Sequence, residues 1–271
     1  MANDPTYADD TTHDLALCRY GRAYQARTNG LSQNSSPSGK ATTRDATLSR
    51  SVVIHVQSVS KKFPDGKGER WVIEDVSFKI EPQQATVIRG PSGVGKTTLL
   101  NLIAGLIQPD KGEIELNLKD SSVPISLNRL NTRELLRFRR DHIGFVYQFF
   151  NLVPTLTVQE NVLLPLALTK RGHLRDQALD RLHKLGLRSH VNAFPAQLSG
   201  GEQQRAAIAR AVAHEPQFLF ADEPTGNLDA ENSAEVFKLL WDEHDRLGTN
   251  LVVATHSDDI GAYAASTIQL A

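Results

Sequence analysis

The sequence predicts an α/β fold: a parallel sheet covered by helices on both faces, interrupted by a helical insertion. Three observations predict it. Short apolar runs at residues 85–89, 218–221 and 251–254 have the length and apolar continuity of buried strands. Helical spacing accompanies them, with Leu99, Leu100, Ile103 and Leu106 after the first run and Val236, Leu239, Leu240 and Leu247 between the other two. From about Phe149 to Leu198 the pattern is charged and mostly helical, with no long strand. Apolar strands that alternate with helices imply parallel pairing.

Taken in order, residues 1–51 are rich in Ser, Thr, Asn, Asp and Ala and poor in large apolar side chains. Such a stretch cannot bury enough surface to offset its ordering entropy. It reads as a disordered extension; a targeting or docking peptide around residues 15–24 is the functional alternative. The folded domain is expected at 52–271. Residues 52–56 read as a strand, Pro64, Asp65 and Gly66 as a loop, and residues 71–73 and 76–80 as two further strands. The strand at 85–89 runs directly into glycines, and the helix after it ends near Gly105. The helical insertion occupies about 149–205, leaving a core at about 52–148 and 206–271. Gly248 closes the helix that carries Val236, and a last strand lies near residues 266–269. No internal repeat is visible, which argues against tandem copies of the domain.

The chain has 271 residues, a formal net charge of -1 and 40% hydrophobic content, enough for one substantial domain. A near-zero charge carries no electrostatic footprint of nucleic-acid binding, so no nucleic-acid partner is expected. Cys18 is the single cysteine, which excludes an intrachain disulfide and a cysteine zinc site. No run approaches the roughly 20 apolar residues of a membrane-spanning helix. The N-terminus also lacks a basic region followed by an apolar core. Work at a membrane would require recruitment by another subunit.

Residues Gly90, Pro91, Ser92, Gly93, Val94, Gly95, Lys96 and Thr97 match G-x-x-x-x-G-K-[ST] at every specified position, between a strand and a helix. Glycines let backbone N–H groups converge on phosphates, and the helix N-terminus adds a favourable dipole. Lys96 is expected to reach the β- and γ-phosphates of a nucleotide, and Thr97 to ligate Mg²⁺; Thr98 joins them at the helix start, and the loop alone does not choose between kinases, GTPases and motor ATPases. The plainer reading is a glycine-rich turn before an ordinary helix. Phe218 to Glu223 then supply an apolar strand that delivers two carboxylates at its C-terminal end, where open α/β sheets bind ligands. Asp222 is expected in the Mg²⁺ shell. Glu223 is expected to polarise the attacking water. A lone acidic turn is common; one paired with the upstream loop is not.

The family follows from the next motif. Leu198, Ser199, Gly200, Gly201, Glu202, Gln203, Gln204 and Arg205 resemble the signature motif of ABC ATPases. The resemblance implies a phosphate-loop NTPase (RecA-like) core with an N-terminal antiparallel β-subdomain and an inserted α-helical subdomain. It also implies a homodimer in the ATP-bound state, in which Ser199, Gly200, Gly201 and Glu202 face the nucleotide of the other subunit. A helix beginning near Glu202 would present its positive dipole end there; a simple N-cap is the plainer reading of Ser199. Gln148 resembles the Q-loop glutamine that contacts Mg²⁺ and water. Asp229 resembles the D-loop aspartate and His256 the H-loop histidine beside the γ-phosphate. Phe63 falls where the family stacks an aromatic on adenine; a core Phe is the competing expectation.

Residues 144–154 and 223–229 look like the subgroup of lipoprotein-releasing and macrolide-export ATPases. In that subgroup the partner is a membrane permease, received in a groove that here would run from Gln148 to Pro154, and the ATPase sits peripherally on the cytoplasmic face of the inner membrane. The family's usual glycine before the phosphate-loop strand is replaced by Gln83 and Gln84. The alternative function is a soluble, non-transport ABC ATPase acting on nucleic acid or ribosomes.

Overall fold

The computed structural model describes residues 53–66, 68–119, 121, 123–257 and 264–270. Expectations placed on residues 1–52 lie outside the described residues.

Strands β1 (Ile54–Asp65) and β2 (Gly68–Ile80) form an antiparallel hairpin. The loop expected at Pro64, Asp65 and Gly66 is narrower than its composition suggests. Pro64 and Asp65 still pair with Glu69 and Gly68, and Gly66 alone of the three turns, with φ 61°. A hairpin tip tolerates Pro because little of the ladder is lost there. The two strands expected at 71–73 and 76–80 are one strand. Asp75 takes a kink at φ 48°, and its N–H donates to Ser60 Oγ at 2.9 Å. That polar interruption mimics a strand end in the apolar pattern.

The chain continues through β3 (Ala85–Arg89), α1 (Lys96–Ile103), β4 (Lys111–Leu116), β5 (Ile125–Ser126), α2 (Thr132–His142) and β6 (Ile143–Val146). Then come α3 (Val158–Thr169), α4 (Arg175–Leu182), α5 (Gly200–Val212), β7 (Phe218–Asp222), α6 (Ala230–Leu247), β8 (Asn250–Ala254) and β9 (Ser266–Gln269). Among the described residues β2-β1-β4-β5 form an antiparallel sheet, and β6-β7-β8-β3-β9 a parallel one. This is the mixed α/β architecture, with an antiparallel and a parallel sheet, that the resemblance implies.

Successive strand residues face opposite sides. Ile88, Phe218, Phe220 and Val252 pack with Leu99, Leu100 and Ile103 of α1. Val87, Leu219 and Val253 pack with Ile208 of α5 and with Val236 and Leu240 of α6. Each fully buried Leu or Ile contributes about 1.5–3 kcal/mol by leaving water. A third core joins Val158 and Val162 of α3, Leu182 of α4, and Ala206 and Ala209 of α5. Helix α5 is therefore a shared wall, with Ile208 and Val212 toward the sheet and Ala206 and Ala209 toward the other helices.

Two details depart from expectation. Leu106 does not extend the apolar face of α1: the helix ends at Ile103, and Leu106 is 38% exposed. Gln83, standing at the glycine-type turn, adopts φ 57°, and its N–H donates to Asn250 Oδ1 at 2.7 Å. A hydrogen bond to β8 thus accompanies a conformation that glycine would adopt freely.

Candidate functional site

The phosphate-binding loop leaves β3 at Arg89 and enters α1 at Lys96. A Cβ at Gly90, where φ is 153°, would lie 2.7 Å from the Leu270 carbonyl oxygen. At Gly95, with φ 107°, it would lie 2.9 Å from the Val72 carbonyl oxygen. Neither backbone neighbour can give way, so both positions demand glycine. Pro91, Ser92 and Gly93 form the exposed rim of the loop, with Val94 and Thr98 half-buried behind it.

Lys96 is buried, and its Nζ turns back over the loop. It donates to Gly90 O at 3.0 Å and to Pro91 O at 3.1 Å, with Glu223 Oε1 at 3.5 Å. Thr97 Oγ1 donates to Asp222 Oδ1 at 3.0 Å. Burial pushes the Asp222 carboxyl above its ordinary pKa; the Thr97 hydrogen bond opposes this and the Glu223 charge adds to it.

Glu223 follows β7 at φ 43°, and its N–H donates to Ala254 O at 2.8 Å. A left-handed glutamate costs on the order of 1–3 kcal/mol, a strain that clusters at functional positions. Its Oε2 lies 2.9 Å from His256 Nδ1. One carboxylate is thus held between a buried lysine and a histidine whose side chain is 67% exposed.

Gln148, just beyond β6, accepts at its carbonyl from Asn227 Nδ2 at 2.8 Å. Its side chain lies so close to Gly226 that a Cβ there would sit 2.8 Å from Nε2. Ser199 is the N-cap of α5, which begins at Gly200 rather than near Glu202. The Ser199 N–H and Oγ–H donate to Glu202 Oε2 at 2.8 and 2.7 Å. These bonds hold the Glu202 carboxyl below its usual pKa. Asp229 caps α6, accepting from the Asn232 N–H at 2.9 Å. Asn232 also closes on Gly201, where a Cβ would lie 2.5 Å from its Oδ1. The signature residues and Asp229 therefore meet within one chain. Among the described residues no hydrogen bond or ion pair ties Ser199 to Lys96.

Phe63 pairs with Arg70 on the hairpin, is 37% exposed and has Lys61 Nζ 5.7 Å from its ring centroid. It is not a core residue.

Residues 73–226, more than half of the chain, match the sequence profile of the family described as ABC transporter. The chain belongs to this family. The ABC ATPase is 41% identical to the ABC transporter ATP-binding protein YtrE of Bacillus subtilis, over 80% of this chain and 94% of that protein. It is 38% identical to LolD of Francisella tularensis, a lipoprotein-releasing system ATP-binding protein, over 78% of this chain and 90% of the relative. Among solved structures it resembles the dimeric, post-hydrolysis state of the cassette MJ0796 bound to ADP and Pi. That likeness has a TM-score of 0.71 and 37% identity, covering 80% of this chain and 94% of that one. The chain is an ATP-binding, ATP-hydrolysing subunit of the ABC transporter class. No described helix is long and apolar enough to cross a membrane.

The donors at the end of β7 suit a hard cation. The Thr97 hydroxyl and Asp222 carboxylate share a 3.0 Å contact, and both are oxygen ligands. Mg²⁺ takes few protein ligands and keeps phosphate and water oxygens.

Sequence reasoning misses Arg210 altogether, and it places Gln204 and Asn227 in motifs without their contacts to the turn after β6. Arg210 donates to the carbonyls of Asn151 and Phe150, Gln204 lies at 3.5 Å from that of Tyr147, and Asn227 bonds that of Gln148. An Arg or Gln in a helix reads as a solvated position, and no spacing rule distinguishes these.

Proposed function

We propose that this subunit works as a homodimer that powers a separate membrane permease of the lipoprotein-release or export type, at the cytoplasmic face of the inner membrane. The observation that carries the transport reading is Phe149, 71% exposed on the turn that directly follows Gln148. An apolar anchor beside a residue of the nucleotide site suits helix-in-groove recognition of a partner. The groove would run from Gln148 to Pro154, at the start of the helical insertion of about 149–205.

In the chemistry we propose, Lys96 and the loop amides bind the phosphates, and Phe63 stacks on adenine. Thr97, Gln148 and Asp222 hold Mg²⁺, which when bound supplies Lewis-acid polarisation of phosphate oxygens. Glu223 orients the attacking water and accepts its proton, with His256 fixing the carboxylate. Ser199, Gly200, Gly201 and Glu202 present a helix N-terminus to the nucleotide of the other subunit, and Asp229 lies at the same interface.

The test replaces Phe149 by Ser in the full chain. A substitution at so exposed a site should change stability by no more than about 0.5 kcal/mol. Co-purification with the permease encoded beside it should fall at least about tenfold, the equivalent of about 1.4 kcal/mol. Undiminished recovery of the permease overturns the groove. Recovery of ribosomes or nucleic acid, in place of any membrane protein, favours the soluble alternative.

A further inference from the structure

The turn at residues 147–151 is strained backbone held from outside. Phe150 and Asn151 both adopt left-handed φ, at 59° and 50°. Within the turn, the Phe150 N–H donates to Tyr147 O at 3.3 Å and the Asn151 N–H to Phe149 O at 2.5 Å. The carbonyls of Gln148, Phe150 and Asn151 accept from side chains of other elements. Arg210 of α5 donates from Nη1 to Asn151 O at 2.6 Å and from Nη2 to Phe150 O at 3.0 Å. Gln204, on the same helix, lies at 3.5 Å from Tyr147 O. The Phe150 ring reaches back toward Gly200, where a Cβ would lie 3.8 Å from its Cζ.

A guanidinium fork suits two neighbouring carbonyls because its donors are coplanar and permanently charged. Helix α5 is a stiff rod. From Arg210 to Ser199 it spans roughly 16 Å at about 1.5 Å per residue. A displacement of the turn therefore reaches the signature end with little loss.

The geometry points to Arg210 as a positioning residue, which fastens the turn bearing Gln148 and Phe149 to the helix that starts at Ser199. Turn and helix then move as one body, and Gln148 keeps its place relative to α5 during turnover. The inference rests on the proposed function only for what pushes on Phe149.

The experiment uses the full-length isolated subunit as wild type, Arg210→Lys and Arg210→Met. It measures kcat and KM for Mg-ATP, together with hydrogen exchange in peptides covering residues 148–152 and α5. For Arg210→Met, exchange in the turn should rise about tenfold or more while α5 stays protected. Its kcat should fall about tenfold with KM within about twofold. Arg210→Lys keeps the charge but not the fork and should fall between. Wild-type exchange and kcat in Arg210→Met overturn the assignment. So does exchange that rises equally throughout α5, because that marks an ordinary packing residue. Should Arg210→Met fail to fold, Arg210→Lys decides: a loosened turn beside a protected α5 supports the assignment, and any other pattern overturns it. Loss of permease binding in Phe149→Ser beside wild-type behaviour of both Arg210 variants overturns this inference alone. The reverse result overturns the partner reading alone.

Discussion

The phosphate loop and the turn after Gln148 both follow the C-terminal ends of parallel strands, β3 and β6, yet they are held in opposite ways. The phosphate loop is fixed by what it lacks. Gly90 and Gly95 let backbone approach backbone where a Cβ would collide, and Lys96 folds onto the loop's own carbonyls. The turn contains no glycine; Phe150 and Asn151 adopt left-handed conformations, and α5 and Asn227 supply donors to its carbonyls. Steric exclusion has no alternative arrangement, whereas side-chain hydrogen bonds, worth about 0.5–1.5 kcal/mol net each, can be broken and remade. Chemistry that needs constant geometry sits on the first kind of support. A junction that must respond to a partner sits on the second.

The largest expected effect tests the rigid side. Glu223→Gln keeps the shape and the strained backbone but removes the charge between Lys96 and His256. Turnover should fall about 10²–10⁴-fold, the usual contribution of a general base, while ATP binding is retained. Single-turnover hydrolysis measured alongside nucleotide affinity checks this. Hydrolysis at the parent rate would assign the role of Glu223 elsewhere.

How much was legible follows the same division. The phosphate loop declares itself because steric demand for glycine and a lysine at fixed spacing leaves a rigid trace in sequence. The structure brings Thr97 to Asp222, and both Lys96 and His256 to Glu223, as a strand-end site requires. Ser199 and Glu202 read as a helix start, and their reciprocal bonds start α5 two residues earlier than expected. Periodicity misled at Leu106, since it counts apolar residues and does not register that the helix stops at Ile103. It also divided β2 at Asp75, whose kink rests on a bond to Ser60 on the neighbouring strand. Helix α2 went unread although Asn131 and Glu134 form a capping box before Leu135 and Phe138. Arg210 was illegible for a deeper reason: its partners are backbone carbonyls some sixty positions away, and carbonyls carry no sequence identity.

A second prediction provides a control that should disturb neither region. His214, 3% exposed, follows α5, and burial pushes its imidazole pKa from 6.5 down to about 4, with the Arg171 charge adding to the effect. Between those values the unfolded chain binds the proton and the folded chain does not. Stability therefore rises with pH across this window and is lost as pH falls from about 6.5 toward about 4. The loss between pH 7 and pH 5 should be about 2 kcal/mol from this group. Urea unfolding of wild type and His214→Leu at the two pH values isolates it. An equal pH slope in both proteins would remove His214 as the source.

The smallest effect sharpens the comparison most directly, because it exchanges the two kinds of support. Gly90→Ala places a methyl group against the Leu270 carbonyl oxygen at a φ of 153°, so it should cost more than about 1 kcal/mol. Asn151→Gly does the opposite. It relieves a left-handed residue at φ 50° that is exposed, while leaving its carbonyl available to Arg210. Relief of that strain is offset by the greater freedom of glycine in the unfolded chain, so the net change should stay within about 1 kcal/mol of zero. Paired denaturation curves compare the two directly. If Asn151→Gly destabilises as much as Gly90→Ala, the turn depends on the asparagine side chain and is as rigidly specified as the phosphate loop. If Asn151→Gly is neutral while Gly90→Ala is costly, the turn's shape resides in the bonds donated to its carbonyls, which are the bonds that tie it to α5.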